Sequence, residues 1–185
     1  MTEVLADVAI RPVTESDFAA IAAIYAHYVR TSTATFEITP PSPVELAVRA
    51  QSVSAFGGPY LVAATAGELL GYAYAGMYRG RAAYSQTVEN TVYIDPGHHG
   101  HGLGSALLRA LIAECERRGF AEMIAVIGGD VENRASVRLH ESCGFTRVGT
   151  LKRVGRKFDR WLDTVLMQRG LTSAEGAPDG RRAPA

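Results

Sequence analysis

Residues 87–105, which read TVENTVYIDPGHHGHGLGS, carry the most informative pattern in the sequence. Side chains alternate between two faces over Thr87–Asp95, which predicts a strand, and Pro96 is expected to end it. The glycines of His98–Gly104 predict a loop. Leucines and alanines at helical spacing follow and predict a helix that ends near Gly119. The stretch therefore predicts a strand, a glycine-rich loop and a helix in direct succession.

Outside this stretch, periodicity predicts more strands and helices around the same sheet. The predicted strands cover residues 8–12, 60–64, 69–76, 123–127, 146–154 and 160–167. Capping boxes starting at Thr14 and Ser42 predict two helices, and Asn133 is expected to cap another. The order β-α-α-β-β-β-α-β-α-β-β is an α+β, or mixed α/β, arrangement. The 185 residues suit one domain over 8–169, followed by a disordered tail over 171–185.

Composition argues against several classes of protein. The 19 Lys and Arg balance the 19 Asp and Glu, so nothing favours binding to nucleic acid or to a membrane surface. No apolar run approaches the ~18 residues of a membrane span, and the N-terminus lacks the pattern of a signal peptide. Two cysteines are too few for a disulfide framework. We therefore expect a cytoplasmic protein with reduced thiols.

The glycine-rich loop is a candidate anion site. Glycines let the backbone approach a ligand closely, and the free N–H groups of a helix start face an anion such as pyrophosphate. Glycines also form plain turns, so the loop alone leaves that explanation open. The Gly-x-Gly-x-x-Gly spacing of dinucleotide-binding folds is absent, as is the Gly-Lys-Ser/Thr of a P-loop.

Glu89 is the candidate general base. It lies in the middle of a predicted strand, where glutamate is disfavoured, and shares its face with Thr91 and Tyr93. Burial in a cleft would raise the pKa of its carboxyl toward neutrality, which suits a base. An edge strand with a solvated face, or a salt bridge to an arginine, explains the same pattern.

Other side chains also have a functional and a plain explanation. His140, on a predicted helix, is either functional or a packed core histidine. Arg79 and Arg81, near Tyr84, suit a carboxylate or phosphinate ligand, or form a solvated basic loop. Phe36 is either a pocket wall or simple packing.

We expect no metal site and no nucleophilic cysteine. Histidines are good zinc ligands, but several within one turn of a glycine loop rarely converge on one ion. The residues that could form such a site are Asp95, His98, His99 and His101. Cys115 and Cys143 are interpreted as helix packing residues.

Two signatures resemble the GCN5-related N-acetyltransferase (GNAT) superfamily. The first is His99-x-x-Gly-x-Gly before a helix, where the usual first residue is Gln or Arg. The second runs from Asn133 to His140 and closes on Gly144-Phe145; tyrosine is more usual at the position of His140. Nearly the whole folded region further resembles the phosphinothricin acetyltransferases, whose relatives include enzymes acting on methionine sulfone and methionine sulfoximine. The segments that carry this closer resemblance are 31–33, Phe36, 89–94, 102–105, 125–128, 136–141 and 157–163.

The resemblance implies a GNAT fold, with a mixed, mostly antiparallel sheet flanked by helices and a V-shaped cofactor cleft. It implies acetyl transfer from acetyl-CoA to the α-amine of a small amino-acid-like substrate, a detoxification role and a homodimer to which the Trp161 region contributes. The implied catalytic residues are Glu89 as base, with His140 and Tyr93 as candidate acids. The implied cofactor contacts are Val92, Tyr93, Ile94, Gly100, His101, Gly102, Leu103, Gly104, Ser105 and Asn133. The implied substrate contacts are Phe36, Arg79, Gly80, Arg81, Glu89, Asn90 and Thr91.

Two alternatives remain at this point. The chain could acetylate a protein N-terminus or an antibiotic amine instead of a small amino acid. It could also be a non-catalytic acyl-CoA sensor that has kept only the cofactor loop. Glu89 on a polar strand face argues against a sensor.

Overall fold

The computed structural model of the chain describes residues 7–129 and 133–171. Its strands are β1 (Ala9–Pro12), β2 (Tyr60–Ala64), β3 (Leu69–Met77), β4 (Thr87–Ile94), β5 (Glu122–Gly128), β6 (Thr146–Lys157) and β7 (Arg160–Gly170). Its α-helices are α1 (Phe18–Thr31), α2 (Pro43–Phe56), α3 (Leu103–Arg117) and α4 (Arg134–Ser142). The element order is the predicted one.

The strands form one seven-stranded sheet in the spatial order β1-β2-β3-β4-β5-β7-β6, within the described ranges. Strands β4 and β5 run parallel, with α3 as their crossover, and the other neighbours run antiparallel. The predicted mixed, mostly antiparallel sheet flanked by helices is therefore confirmed.

Helices cover both faces of the sheet, and each face has its own hydrophobic core. Ile21 of α1 packs in the same core as Val62 and Tyr72. Leu61 and Ala63 belong to the opposite core with the leucines of α3. Successive side chains of a strand point to opposite faces, so β2 contributes to both cores.

Both predicted capping boxes are present. At the start of α2, Ser42 Oγ accepts from the Glu45 N–H at 3.2 Å, and the Glu45 carboxylate accepts from the Ser42 N–H at 2.7 Å. At Thr14 the box precedes a 3-10 turn over Glu15–Asp17, and α1 begins only at Phe18. The first α-helix therefore starts later than the pattern predicts.

The sheet opens between β4 and β5. Their parallel ladder runs from Thr87 paired with Glu122 to Asn90 paired with Ala125. Beyond that pair β4 continues to Ile94 and β5 continues to Gly128, without further pairing between them. The predicted V-shaped opening thus has its apex at Asn90.

The last hairpin differs from the prediction in length. Strand β6 was expected to end at Val154 but continues to Lys157, and β7 was expected to end at Met167 but continues to Gly170. A bulge interrupts the β6–β7 register between Leu151 and Gly155. Such a bulge breaks the two-residue alternation on which strand prediction depends, which explains the short prediction.

Two end-of-element predictions need correction. Asn133 occupies the N-cap position of α4, but its side chain does not cap the helix; the amide instead donates to the Gly128 carbonyl and to Thr33 Oγ1. Leu171 was assigned to the tail, yet it is buried and its N–H donates to the Ala121 carbonyl at 2.9 Å. The rest of the expected tail, 172–185, lies outside the described residues.

Among the described residues, no helix has both the length and the apolar character needed to cross a bilayer.

Candidate active site

A cavity of about 440 Å³ occupies the opening between β4 and β5. It continues to the glycine-rich loop before α3, to α4, and to residues 32–37 (the 32–37 loop), which form the first part of the connection between α1 and α2. Its lining residues are Tyr28, Ala34, Thr35, Glu89, Asn90, Thr91, Val92, Tyr93, Ile94, His98, His99, Gly100, Gly102, Leu103, Gly104, Ala125, Val126, Ile127, Asn133, Ala135, Ser136, Leu139 and His140.

Most of the site residues named from the sequence meet at this cavity. All three catalytic candidates line it, as do Asn90 and Thr91 of the substrate set. The cofactor set is present except for His101 and Ser105, which do not line it. Phe36, Arg79, Gly80 and Arg81 also lie off the cavity wall. The site is therefore assembled from the strand, loop and helix of residues 87–105, together with α4 and the 32–37 loop.

Glu89 is half-buried in a central strand. It lies between Gly76 of β3 and Ile124 of β5 in the sheet register. Among residues 7–129 and 133–171, no hydrogen bond or ion pair engages its carboxylate. Burial raises the pKa of this carboxyl above its ordinary value. The two plain explanations of a mid-strand glutamate are an edge strand and a salt bridge to an arginine, and neither applies to Glu89 within the described residues.

His140 contacts Asn90 at the apex of the opening, and the two side chains are on the opposite face of β4 from Glu89. His140 Nε2 lies 3.0 Å from Asn90 Oδ1, and Nδ1 lies 2.7 Å from the Ser136 carbonyl oxygen. Burial lowers the pKa of the imidazole, while the Ser136 carbonyl opposes this effect. The two ring nitrogens of His140 are thus occupied by Asn90 and by the Ser136 carbonyl.

Tyr93 forms part of an aromatic cluster on the Glu89 face of β4. Its ring centroid lies 5.2 Å from that of Tyr25, 5.0 Å from Tyr28 and 5.6 Å from Tyr72. Its hydroxyl donates to the Ala34 carbonyl at 3.2 Å. Burial raises the pKa of Tyr93 well above its ordinary value, so its hydroxyl stays protonated.

The glycine-rich loop leaves the N-terminus of α3 open. Gly100 and Gly102 have φ of 83° and 80°, a left-handed conformation that costs other residues more. No side chain caps the helix. The first N–H groups of an α-helix lack intrahelical partners, and here they face the cavity next to glycines. This arrangement can hold a phosphate or pyrophosphate.

Tyr28 is a site residue that the sequence reasoning missed. Its hydroxyl donates to the Ile94 carbonyl and lies 2.6 Å from His99 Nε2. The His99 side chain is therefore held against α1. Tyr28 continues the helical spacing of Phe18, Ile21 and Tyr25, so the amphipathic pattern of α1 was the signal that could have identified it as inward-facing.

Arg79 packs within its own loop. Its guanidinium lies 5.1 Å from the ring centroid of Tyr78 and 5.7 Å from that of Tyr84. The loop leads directly into β4 at the end that carries Glu89. In the part of the chain that the structure describes, no group of three histidine, cysteine or acidic side chains is arranged to hold a metal ion.

Comparison with known proteins identifies the family. Residues 21–145 match the acetyltransferase (GNAT) family. This chain belongs to the GNAT family. It is 52% identical over 166 residues to phosphinothricin N-acetyltransferase of Alcaligenes faecalis, covering 90% of this chain and 84% of that protein. It is 39% identical over 170 residues to the L-methionine sulfoximine/L-methionine sulfone acetyltransferase of Salmonella typhimurium, covering 92% and 98%.

A solved GNAT structure agrees with this assignment. The phosphinothricin acetyltransferase of Sinorhizobium meliloti in complex with acetyl-CoA superposes with a TM-score of 0.87 at 39% identity, covering 96% of each chain. The chain is thus an acetyl-CoA-dependent N-acetyltransferase, as the resemblance predicted. The open N-terminus of α3 fits the pyrophosphate of this GNAT cosubstrate. The ends of β4 and β5 do not pair with each other, and the gap between them leaves room for the pantetheine arm.

Proposed function

We propose that this enzyme acetylates the α-amine of a small amino-acid-like acceptor, with Glu89 as general base. The observation that carries the proposal is the half-buried carboxylate of Glu89, which lines the cavity on a central strand and has no hydrogen-bonding or ionic partner among residues 7–129 and 133–171. Its raised pKa brings the carboxylate nearer to the range in which a base works at neutral pH. We name phosphinothricin, methionine sulfone and methionine sulfoximine as candidate acceptors, because relatives bear these names.

The proposed reaction is direct attack. Acetyl-CoA, when bound, supplies the thioester that the amine attacks. Glu89 removes one proton from the acceptor ammonium, because only the neutral amine has a lone pair for the attack. The C–N bond forms, the C–S bond of the thioester breaks, and the second proton of the attacking nitrogen passes to water as the amide forms. Backbone N–H groups of Val92–Ile94, beyond the end of the β4–β5 ladder, support negative charge on the carbonyl oxygen. The residues proposed to hold the rest of the cosubstrate are Gly100, Gly102, Leu103, Gly104 and Asn133.

The leaving thiolate takes its proton from His140 or Tyr93. His140 has both ring nitrogens next to carbonyl oxygens, and the Tyr93 hydroxyl donates to the Ala34 carbonyl. To deliver a proton to the thiolate, either residue must first give up its hydrogen bond to a carbonyl oxygen. Comparison of His140→Gln and Tyr93→Phe in single-turnover assays distinguishes the two.

We assign the acceptor carboxylate to the basic loop before β4. Arg79 and Arg81 supply the charge, and Phe36 a hydrophobic wall, once an acceptor draws these side chains toward Glu89.

The proposed physiological role is detoxification in the cytoplasm. A homodimer is proposed as well, and exposed Trp161 supports a contact through the last hairpin, since its side chain is 55% exposed.

The test is release of free CoA thiol from acetyl-CoA across an acceptor panel. The panel holds phosphinothricin, methionine sulfone, methionine sulfoximine, common amino acids, a peptide and an aminoglycoside. We expect turnover with the first three and none with the peptide or aminoglycoside. Turnover only with the peptide or the aminoglycoside would contradict the proposed acceptor. Tight acetyl-CoA binding without any turnover, in Glu89→Gln and wild type alike, is the result for a sensor.

A further inference from the structure

Lys157 is a buried cation that makes two hydrogen bonds and one aromatic contact. Its side chain lies at the end of β6, with the residue 5% exposed. The ammonium donates to the carbonyl oxygens of Ser32 and Thr35, each at 2.8 Å, and lies 5.0 Å from the ring centroid of Phe158. Burying a charge is costly unless such partners compensate it. The burial lowers the pKa of Lys157, while Glu37 opposes the shift.

The carbonyls that Lys157 holds belong to the acceptor side of the cavity. The 32–37 loop has no helix or strand. Its residues Ala34 and Thr35 line the cavity on the face of Glu89 and Tyr93. The Tyr93 hydroxyl donates to the Ala34 carbonyl, so side chains of both β4 and β6 form hydrogen bonds to this loop. Because the loop lacks a backbone ladder, side-chain contacts hold it in place. Besides the contacts of Lys157 and Tyr93, these include Tyr25 on Thr35 at 2.8 Å and the Asn133 amide on Thr33.

The β6–β7 hairpin, which carries Lys157, contains non-glycine residues in a left-handed backbone conformation. Arg153, Phe158 and Asp159 have φ of 56°, 51° and 56°, and they are the non-glycine residues with positive φ in the described ranges. All three lie within four residues of Lys157. Phe158 and Asp159 are the two central residues of the β6–β7 hairpin, and positive φ at both positions is the type I′ geometry that matches the twist of paired strands. The turn at Phe158 and Asp159 directs the chain so that Lys157 faces the 32–37 loop and the Phe158 ring covers it.

We propose that Lys157 is a positioning residue that holds the 32–37 loop in the shape required for acceptor binding. The inference rests on the proposed function, because it assigns this loop to the acceptor side. Among the described residues, α3 and its glycine-rich loop make no hydrogen bond to Lys157, and the 32–37 loop meets the proposed cosubstrate residues through the Asn133 amide on Thr33 Oγ1. Loss of the ammonium should therefore weaken acceptor binding much more than acetyl-CoA binding.

The test compares Lys157→Met with Lys152→Met. Methionine keeps most of the apolar stem and removes the charge. Lys152 is the matched control, since it lies on the same strand, is 69% exposed and pairs with Asp163 at the surface. We measure KM and kcat for the best acceptor of the panel, the Kd of acetyl-CoA, and hydrogen exchange of the 32–37 amides in the free enzyme.

We expect the acceptor KM of Lys157→Met to rise about tenfold or more, as for loss of hydrogen bonds to a charged group. We expect kcat and the Kd of acetyl-CoA to change less than about threefold, because the substitution removes contacts that support acceptor binding. Exchange in the 32–37 loop should accelerate, and Lys152→Met should match wild type throughout. Lys157→Arg keeps the charge and carries N–H donors for the same two carbonyls, so it should restore part of the acceptor affinity.

Two results would overturn the inference. One is an acceptor KM and loop exchange in Lys157→Met equal to those of Lys152→Met. The other is an equal loss of acceptor and acetyl-CoA binding, which indicates a merely structural role. If Lys157→Met does not fold, Lys157→Gln, which keeps one donation, is measured by the same criteria. Failure of wild type on the whole panel overturns the proposed function instead, and the exchange measurement still tests the contact.

Discussion

Asn90 joins His140 to the apex of the sheet opening. Its Oδ1 lies 3.0 Å from His140 Nε2, and its Nδ2 donates to the Ile124 carbonyl at 3.1 Å, where the β4–β5 ladder ends. His140 Nδ1 faces a second carbonyl oxygen, that of Ser136. Only a doubly protonated imidazole donates to both oxygens, while burial favours the neutral ring. The pair therefore links the strand separation to the protonation of a cavity residue.

Removing either side chain of this pair should destabilise the fold, and the two effects should not add. Asn90→Ala leaves the Ile124 carbonyl and one His140 nitrogen unpaired, which costs about 1–3 kcal/mol. A double-mutant cycle with His140→Ala, measured by urea denaturation, should give a coupling of about 0.5–3 kcal/mol. The control cycle of Asn90→Ala with surface Lys152→Met should be additive. Additivity in both cycles would show that the contact between Asn90 and His140 contributes nothing to the free energy of unfolding.

Glu89→Gln should abolish turnover without loss of acetyl-CoA binding. General-base removal lowers kcat by about 10²–10⁴-fold. Wild-type kcat/KM should rise with pH through an ionisation displaced above the ordinary glutamate range, since burial raises the pKa of Glu89. That limb should be missing from the residual activity of the variant. Glu15→Gln, at an exposed position, is the control. A variant that keeps more than about a tenth of wild-type kcat would remove Glu89 from the role of base.

The same substitution should stabilise the protein at neutral pH. The folded state binds the Glu89 proton more tightly than the unfolded chain, because the folded-state pKa is raised. Ionisation therefore costs folding stability above the unfolded pKa, and that cost is complete above the folded pKa. Glu89→Gln should exceed wild type in unfolding free energy at pH 8 and match it below about pH 4. Urea titrations at both pH values check the sign, and a larger gain at the lower pH would contradict it.

Gly100→Ala and Gly119→Ala form a matched pair at the two ends of α3. Both glycines are left-handed, with φ of 83° and 82°, and an added Cβ at either meets no atom within 4 Å. Each substitution should cost roughly 1 kcal/mol of stability. Only Gly100 lines the cavity, so only Gly100→Ala should weaken acetyl-CoA binding, by about tenfold, as for lost close approach of the backbone to an anion. The Kd of acetyl-CoA for each variant, measured by calorimetry, tests this expectation. Equal affinities of the two variants would exclude this loop as the pyrophosphate site.

Gly155→Ala should disturb the 32–37 loop from a different direction. The Phe36 ring lies against Gly155 and Gly128, and a Cβ at Gly155 would overlap that ring. Overpacking of this kind costs about 1–3 kcal/mol. Displacement of Phe36 should also raise the acceptor KM. Gly149→Ala on the same strand meets no atom within 4 Å and should gain about 0.5 kcal/mol without a change in KM. Steady-state kinetics and melting curves of the two variants test this, and an unchanged KM in Gly155→Ala would remove Phe36 from the acceptor side.

Features that depend on neighbouring residues could be predicted from the amino-acid sequence. The order of strands and helices, the capping boxes at Thr14 and Ser42, and the glycine-rich loop before α3 all follow from side-chain period and local backbone preference. The position of Glu89 on a polar strand face followed in the same way. These signals lie within one turn or a few strand residues, so an isolated chain carries them.

Tertiary structure decided what depends on contacts between distant segments. The point where β4 and β5 part, at Asn90, and the pairing of Asn90 with His140 across 50 residues have no local signal. The Lys157 contacts to the 32–37 loop span 122 and 125 residues, and the Asn133 amide turns from its helix to Thr33 across 100. A polar group selects such partners only after packing has buried it, because in the unfolded chain water satisfies it equally well.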